Sequence, residues 1–226
     1  MAISLDFSSV LEQWPLFVDG ALLTIELAGV ATIAGFGLGT LCAVALRSGG
    51  LPARLCFIYV EAIRNTPLLV QIFLVYFGLA SLGLRLNAFT VASLALTINV
   101  AAYTAEIMRA GLDSIPAGQV EAGECLGLSR PQLYWHVLLL PAMERVYPAL
   151  ASQFVLLMLA SSVTSQISAE ELTAVANHVQ SDTFRPFEAF IVLAGLYIAL
   201  SMLMRLLFWL LGLALFPRRR RLGTAL

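Results

Sequence analysis

Apolar residues gather along this chain into five long blocks separated by short polar stretches. The blocks cover about residues 16–46, 55–80, 88–108, 146–167 and 186–216. Each has roughly the 20 residues that an α-helix, rising ~1.5 Å per residue, needs to cross a hydrocarbon core of ~30 Å. The pattern therefore predicts an all-α integral membrane protein with five transmembrane helices. The first block is rich in glycine, with Gly29, Gly35, Gly37 and Gly39. Gly35 and Gly39 form a GxxxG pair that lets a second helix approach closely. Pro67 lies in the first half of the second block and removes a backbone donor, so a kink is expected there. No repeat of 20 to 50 residues is visible, and five spans cannot be halved into an even inverted repeat. A bundle of this size suggests half of a pathway, completed by a second copy or a paralogue.

Composition agrees with the pattern. The chain is 60% hydrophobic and 12% charged, with mean hydropathy +0.89. A soluble domain has about 45–50% apolar and about 25% charged residues. The net charge of −1 is uninformative, but the distribution of arginine is not. With the N-terminus outside, the inner segments hold Arg47 and Arg54, then Arg109, Arg130 and Arg145, then Arg218 to Arg221. The outer loops hold only Arg85 and Arg185, as the positive-inside rule requires. The expected layout is a periplasmic segment 1–15, a membrane domain 16–216 containing a cytoplasmic loop 109–145, and a cytoplasmic basic tail 217–226. Arg218 to Arg221 then act as a topological stop and headgroup anchor. Asp6, Glu12 and Asp19 stand where a signal peptide carries basic residues.

Catalytic and metal chemistry find little support. Cys42, Cys56 and Cys125 show no CxxC pairing and read as small buried hydrophobes. His136 and His178 have no neighbouring ligand set, so no metal site is expected. No Ser/His/Asp or paired-carboxylate arrangement stands out. No G-x-x-x-x-G-K-[ST] loop is present, so the chain supplies no nucleotide site of its own.

The cytoplasmic loop is more informative. Pro116 suits the first turn of a short helix that continues from Gln119 to Leu126. Gly127 is placed to stop it. Ser129 is a good N-cap for a second helix over about 130–140, with Pro131 in its first turn and Pro141 at its end. Two short helices at a glycine corner form a lever under the membrane. The same spacing also fits an amphipathic helix resting on the headgroups.

Ionisable and polar residues inside spans are costly and face the bundle interior or water. Glu26 sits near the outer end of the first span. Glu61 and Arg64 are three apart and can pair on one helix face, as hinge support or as substrate contacts. Asn99, Tyr103 and Glu106 share a face of the third span, as a packing seam or a pathway lining. Ser161, Ser165 and Ser168 share a helical face at i, i+4 and i+7, two turns from Gln153, with Ser162 beside them. This cluster fits a hydrated cavity for a polar solute and equally fits tight helix packing.

Four separated motifs carry a resemblance over about residues 15–215. Glu121-Ala122-Gly123, three residues, Gly127, nine residues, Val137 and then Leu138-Leu139-Leu140-Pro141 resemble the E-A-A-x3-G-x9-I-x-L-P loop of ABC importer permeases. Glycine replaces the third alanine-type position, and one extra residue precedes the proline. Ala102-Tyr103-Thr104-Ala105-Glu106-Ile107-Met108-Arg109-Ala110-Gly111 with Ile115-Pro116-Ala117-Gly118-Gln119, Arg64-Asn65-Thr66-Pro67-Leu68-Leu69-Val70-Gln71, and Gly20-Ala21-Leu22-Leu23-Thr24 resemble the polar amino acid subgroup. The resemblance implies a type I ABC importer permease fold in the bacterial inner membrane. It implies a second permease subunit, two ATP-binding subunits that hold ATP and Mg, and a periplasmic amino acid-binding protein. It places Glu121, Ala122, Gly123, Gly127 and Pro141 in the coupling segment. Glu61, Arg64, Asn65, Thr66, Asn99, Tyr103, Glu106, Ser161, Ser162 and Ser165 become the substrate-pathway candidates. Many members carry Lys-Asp/Asn-Thr/Ser-Ser-Leu where this chain has Leu159-Ala160-Ser161-Ser162-Val163. The missing charged pair argues for a heterodimer with inequivalent subunits. A stand-alone channel or secondary carrier is the competing reading, but such a protein needs no cytosolic docking helix. An intramembrane enzyme needs a convergent reactive set, and none is present.

Overall fold

The computed structural model describes residues 5–216, so the 217–226 tail with Arg218 to Arg221 lies outside the described residues. A single turn, α1 (Ser8–Leu11), leads into α2 (Trp14–Ser48). At ~1.5 Å per residue α2 is about 52 Å long. It ends where Gly49 and Gly50 adopt φ of +73° and +72°, a region glycine enters without a Cβ penalty. The chain reverses there into α3 (Gly50–Arg64), followed by α4 (Leu68–Ser81) and α5 (Ala88–Asp113). The Asn87 side chain caps α5 by accepting the Thr90 N–H at 2.8 Å.

Helix α5 is the axis of the bundle. Its Val91, Ala92, Ala95, Leu96, Val100, Met108 and Leu112 are buried and join Leu27, Ala31, Ile72, Leu150, Phe154 and Leu157 in the main core. The close packing of α2 on α5 rests on the glycine pair. A Cβ at Gly39 would lie 2.6 Å from the Ala101 carbonyl oxygen and 2.6 Å from Thr104 Cβ. One at Gly35 would lie 2.2 Å from Val100 Cγ1. Gly29 and Gly37, on the other side of α2, would meet nothing within 4 Å.

The polar segment after α5 forms α6 (Ala117–Cys125) and α7 (Arg130–Gln132), a π-helical stretch (Leu133–Leu139), and then α8 (Leu140–Ala160). A 3-10 stretch (Ser161–Ile167), α9 (Leu172–Thr183) and α10 (Pro186–Leu215) complete the chain. A second, smaller core joins Phe17 of α2 to Leu172, Ala176 and Val179 of α9 and to Ala189 and Leu193 of α10.

Two expectations about the spans need correction. The second span is not one kinked helix: α3 and α4 meet at 113°. Among the described residues four other helices are long and apolar enough to cross a membrane, and the bent pair, counted as one broken span, makes five. The second helix of the loop does not end at Pro141. Residues Arg130–Ile167 run on as one continuous helical rod. A proline ring crowds the carbonyl four residues earlier in a regular α-helix. Here the turns immediately before Pro141 widen to π geometry, and the proline falls in the first turn of α8.

Candidate translocation and coupling sites

The break between α3 and α4 is built around Gln71. Pro67 adopts extended backbone (ψ 140°) and cannot donate to the carbonyl of Ile63, four residues earlier. Gln71 Nε2 donates instead to Ile63 O at 2.8 Å, to Thr66 O at 3.0 Å and to Thr66 Oγ1 at 3.0 Å. Its Oε1 accepts from Asn99 Nδ2 of α5 at 2.9 Å. Gln71 is 5% and Asn99 8% exposed, so these groups have little access to water and depend on one another. Thr66 and Asn65 lie on the exposed side of the break, where Asn65 Nδ2 donates to Glu61 O at 2.8 Å and to Glu61 Oε2 at 3.2 Å.

Charge pairing differs from the expectation. Glu61 does not pair with Arg64. The Arg64 guanidinium lies 3.8 Å from Glu106 Oε2 of α5 and 6.0 Å from the centre of the Tyr103 ring. Glu106 also binds Arg109 at 2.5 Å, and Arg109 reaches Asp113 at 3.1 Å. Arg47 at the end of α2 donates to Leu112 O at 3.0 Å and lies 3.7 Å from Asp113. Arg145 of α8 donates to the Ser114 carbonyl. The ends of α2, α3, α5 and α8 are thus tied into one base. These pairs are half-exposed, so each contributes only about 0–1 kcal/mol and acts mainly on geometry. Asn99, Tyr103 and Glu106 do share one face, and that face meets the α3–α4 break.

The serine cluster needs a different period. In the 3-10 helix over 161–167 three residues make a turn, so the α-helical grouping of Ser161, Ser165 and Ser168 fails. Ser161, Thr164 and Ile167 are buried, whereas Ser162 and Ser165 are half-buried and Ser168 is exposed. Ser161 Oγ donates to Met158 O at 2.7 Å, and Ser165 Oγ donates to Ser162 O at 2.8 Å. Ser165 and Ser168 open into a cavity of about 690 Å³ against the N-terminal half of α2 and α9, which Asp19, Glu170, Asn177 and His178 also line.

The segment expected to couple to an ATPase has the predicted corner. Gly127 has φ +73°. Its N–H donates to Glu124 O at 2.9 Å, and the Leu128 N–H donates to Gly123 O at 3.2 Å. This paired closure is a Schellman stop, which requires a left-handed residue. Pro116 stands just before α6 rather than within its first turn. Past the corner, Gln132 Oε1 accepts from the Ser129 N–H at 2.9 Å and from Ser129 Oγ at 2.8 Å, which starts the rod. Glu121, Ala122 and Gly127 are exposed, and Leu126 at the corner is 81% exposed. Gly123 is buried instead: a Cβ there would lie 2.4 Å from Leu133 Cδ1. Glycine at this position lets α6 fold back against the rod.

Sequence reasoning gave no role to three residues. Gln71 stood in a matched motif, but only the break shows what its amide does. Glu171 is fully buried and caps α9, accepting the N–H groups of Thr173 at 2.9 Å and Ala174 at 3.0 Å. Tyr197 of α10 donates to its other oxygen at 2.7 Å. Burial pushes the Glu171 carboxyl above its ordinary range, and these hydrogen bonds only partly oppose that. A carboxylate one residue before an apolar run is a possible capping signal, though a weak one. Arg205, the third, lies exposed on α10. Among the described residues no group of three or more His, Cys, Asp or Glu could hold a metal ion.

Comparison with known proteins supports this architecture. Residues 35–220 match the family described as "Binding-protein-dependent transport system inner membrane component". The octopine transport system permease protein OccM of Rhizobium radiobacter is 36% identical over 224 residues, covering 95% of this chain and 89% of that protein. The probable glutamine ABC transporter permease protein GlnM of Bacillus subtilis is 36% identical over 198 residues, covering 87% of this chain and 92% of that one. A chain in the crystal structure of an amino acid ABC transporter with histidines superposes with TM-score 0.83 at 34% identity, over 93% of this chain and 99% of that one. The helical bundle, its broken span and its projecting corner therefore belong to a member of the binding-protein-dependent transport system inner membrane component family, a multi-pass permease subunit and not an enzyme.

Proposed function

We propose that this chain forms half of the translocation pathway of an importer for polar amino acids, driven by a separate ATPase that docks on the corner at Gly127. The observation that carries this reading is the continuous rod from Arg130 to Ile167. One end begins at the exposed Glu121–Gly127 corner, and the other ends in the serine turn beside the outer cavity. A push at the corner therefore reaches the serine turn without crossing a flexible joint. The pivot is the base where Arg145 holds Ser114, close to the Glu106–Arg109 pairs.

Glu121, Ala122, Gly123, Gly127 and Pro141 form the coupling segment in this reading, with Gly123 and Pro141 shaping it and the other three meeting the ATPase. Glu61, Asn65 and Thr66 line the pathway side of the α3–α4 break, and Ser162 and Ser165 line its outer part. Arg64, Asn99, Tyr103, Glu106 and Ser161 position those groups. The partners are a second permease subunit, two ATP-binding subunits that hold ATP and Mg, and a periplasmic amino acid-binding protein. Absence of the charged pair at Leu159 and Ala160 favours a paralogue over an identical copy. The N-terminus faces the periplasm and the 217–226 tail the cytoplasm, following the arginine asymmetry. Residues 16–216 act as one membrane domain.

The test is uptake measured beside ATP hydrolysis in the reconstituted complex. Glu121→Arg and Gly127→Leu should leave insertion intact and abolish the link between hydrolysis and uptake. Wild-type coupled transport in both variants would remove the docking role.

A further inference from the structure

Arg205 lies within the long apolar helix α10, and its side chain has no ion pair or hydrogen bond among the described residues. Arg64, Arg109 and Arg47 all have acidic neighbours, and none of the observed ion pairs or hydrogen bonds involves Arg205. It lies ten residues before Leu215, the last residue of α10, or about 15 Å along the helix. Its neighbours along α10, Met202, Leu203, Leu206 and Leu207, are all large exposed apolar side chains. An arginine in such a setting is costly without an anion.

The arginine lines a groove of about 320 Å³ between α8 and α10. Tyr147 holds the two helices together at one end of it, donating to Phe208 O at 2.5 Å and meeting the Phe216 ring edge-on at 5.3 Å. Ala151, Val155, Phe208 and Trp209 give the groove apolar walls, and Ser152 adds a hydroxyl to its lining. Tyr147 lies only seven residues beyond Leu140, so the groove opens on the half of the membrane domain next to the coupling segment.

A second copy of this chain is a poor source for the missing anion. The exposed carboxylate of Glu61 already accepts from Asn65, and it sits on α3, which packs on α2 and α5 rather than on α8 or α10. Glu26 lies 22 residues before the inner end of α2, far toward the other face. A phosphate on a lipid matches the groove better. A long arginine stem can lie on apolar walls while its head reaches the headgroup level, and basic pockets between membrane helices on the cytoplasmic side suit anionic headgroups. We propose that the α8–α10 groove binds an anionic phospholipid, with Arg205 on the phosphate and an acyl chain against Val155, Phe208 and Trp209.

The assembled transporter, purified in mild detergent, can be titrated with phosphatidylglycerol or phosphatidylcholine and read by native mass spectrometry. The wild type should prefer phosphatidylglycerol. Arg205→Gln should weaken that binding roughly fivefold, the effect of removing about one basic contact to an anionic headgroup, without changing phosphatidylcholine binding. Arg205→Lys should retain the preference, and Ser152→Trp, which fills the groove and keeps the charge, should lose it. Equal phosphatidylglycerol binding by wild type, Arg205→Gln and Ser152→Trp would overturn the proposal. So would a photo-crosslinking residue at position 205 that captures the second permease subunit instead of lipid. Neither result bears on transport itself, which is tested at Glu121 and Gly127.

Discussion

Gln71 and Asn99 join the broken span to the central helix through a single amide–amide hydrogen bond of 2.9 Å. The same Gln71 side chain serves the carbonyls of Ile63 and Thr66 on the other side of the break. One buried amide thus sets both the bend and its position against α5. Gln71→Leu should cost about 1–3 kcal/mol, because it leaves the buried Asn99 amide without its partner. A double-mutant cycle of Gln71→Ala and Asn99→Ala, read by thermal unfolding in detergent, should show a coupling of about 0.5–3 kcal/mol. Strict additivity would mean that the two side chains act independently.

Glycine substitutions along α2 should separate by face. Gly39→Ala drives a methyl group into the Ala101 carbonyl and Thr104, and backbone cannot step aside as a flexible side chain can. Its expected cost is about 1–3 kcal/mol. Gly37→Ala, which meets open space, should stay within about 0.5 kcal/mol of the parent. The unfolding temperatures of the two variants provide the check.

The serine turn offers a similar internal control. Ser161 is fully buried, so Ser161→Leu should lower folded yield. Ser162→Leu and Ser165→Leu place bulk on the half-buried side and should preserve yield while reducing uptake. Unchanged transport rate and substrate range in both would exclude that side from the pathway.

Stability should depend on pH through Glu171. Burial raises its carboxyl above the ordinary value of 4.5, so the folded chain keeps a proton that the unfolded chain has released. The folded state binds more protons in that window, and its stability therefore falls as pH rises from about 4.5 through the raised value. Glu171→Gln keeps an acceptor for Thr173 and Ala174 and should flatten this slope. Melting curves of both proteins at several pH values would show it, and parallel slopes would assign the dependence elsewhere.

Much of the bundle was legible before any coordinates. Span positions follow from run length and composition, which are local properties. The corner at Gly127 was readable because only a left-handed residue closes a helix that way, and the Gly35–Gly39 approach because absent side chains leave room. Two local readings failed for an equally definite reason. They assumed α-helical period throughout, so the serine faces were grouped by 3.6 residues where the chain uses three. Pro141 was read as a stop, although π turns ahead of it let the helix pass.

Spans, corner and close helix approach were thus determined by the chain alone, because each depends on residues adjacent in sequence or on the solvent they avoid. Partner choice was decided only in three dimensions. Arg64 has a carboxylate three residues away in Glu61, yet it pairs with Glu106 because the 113° break turns α3 toward α5. Gln71, Glu171 and Arg205 acquire their meaning in the same way. A hydrogen bond or an unmet charge depends on what the fold brings within about 3–4 Å, and residues far apart in sequence carry no local record of that distance.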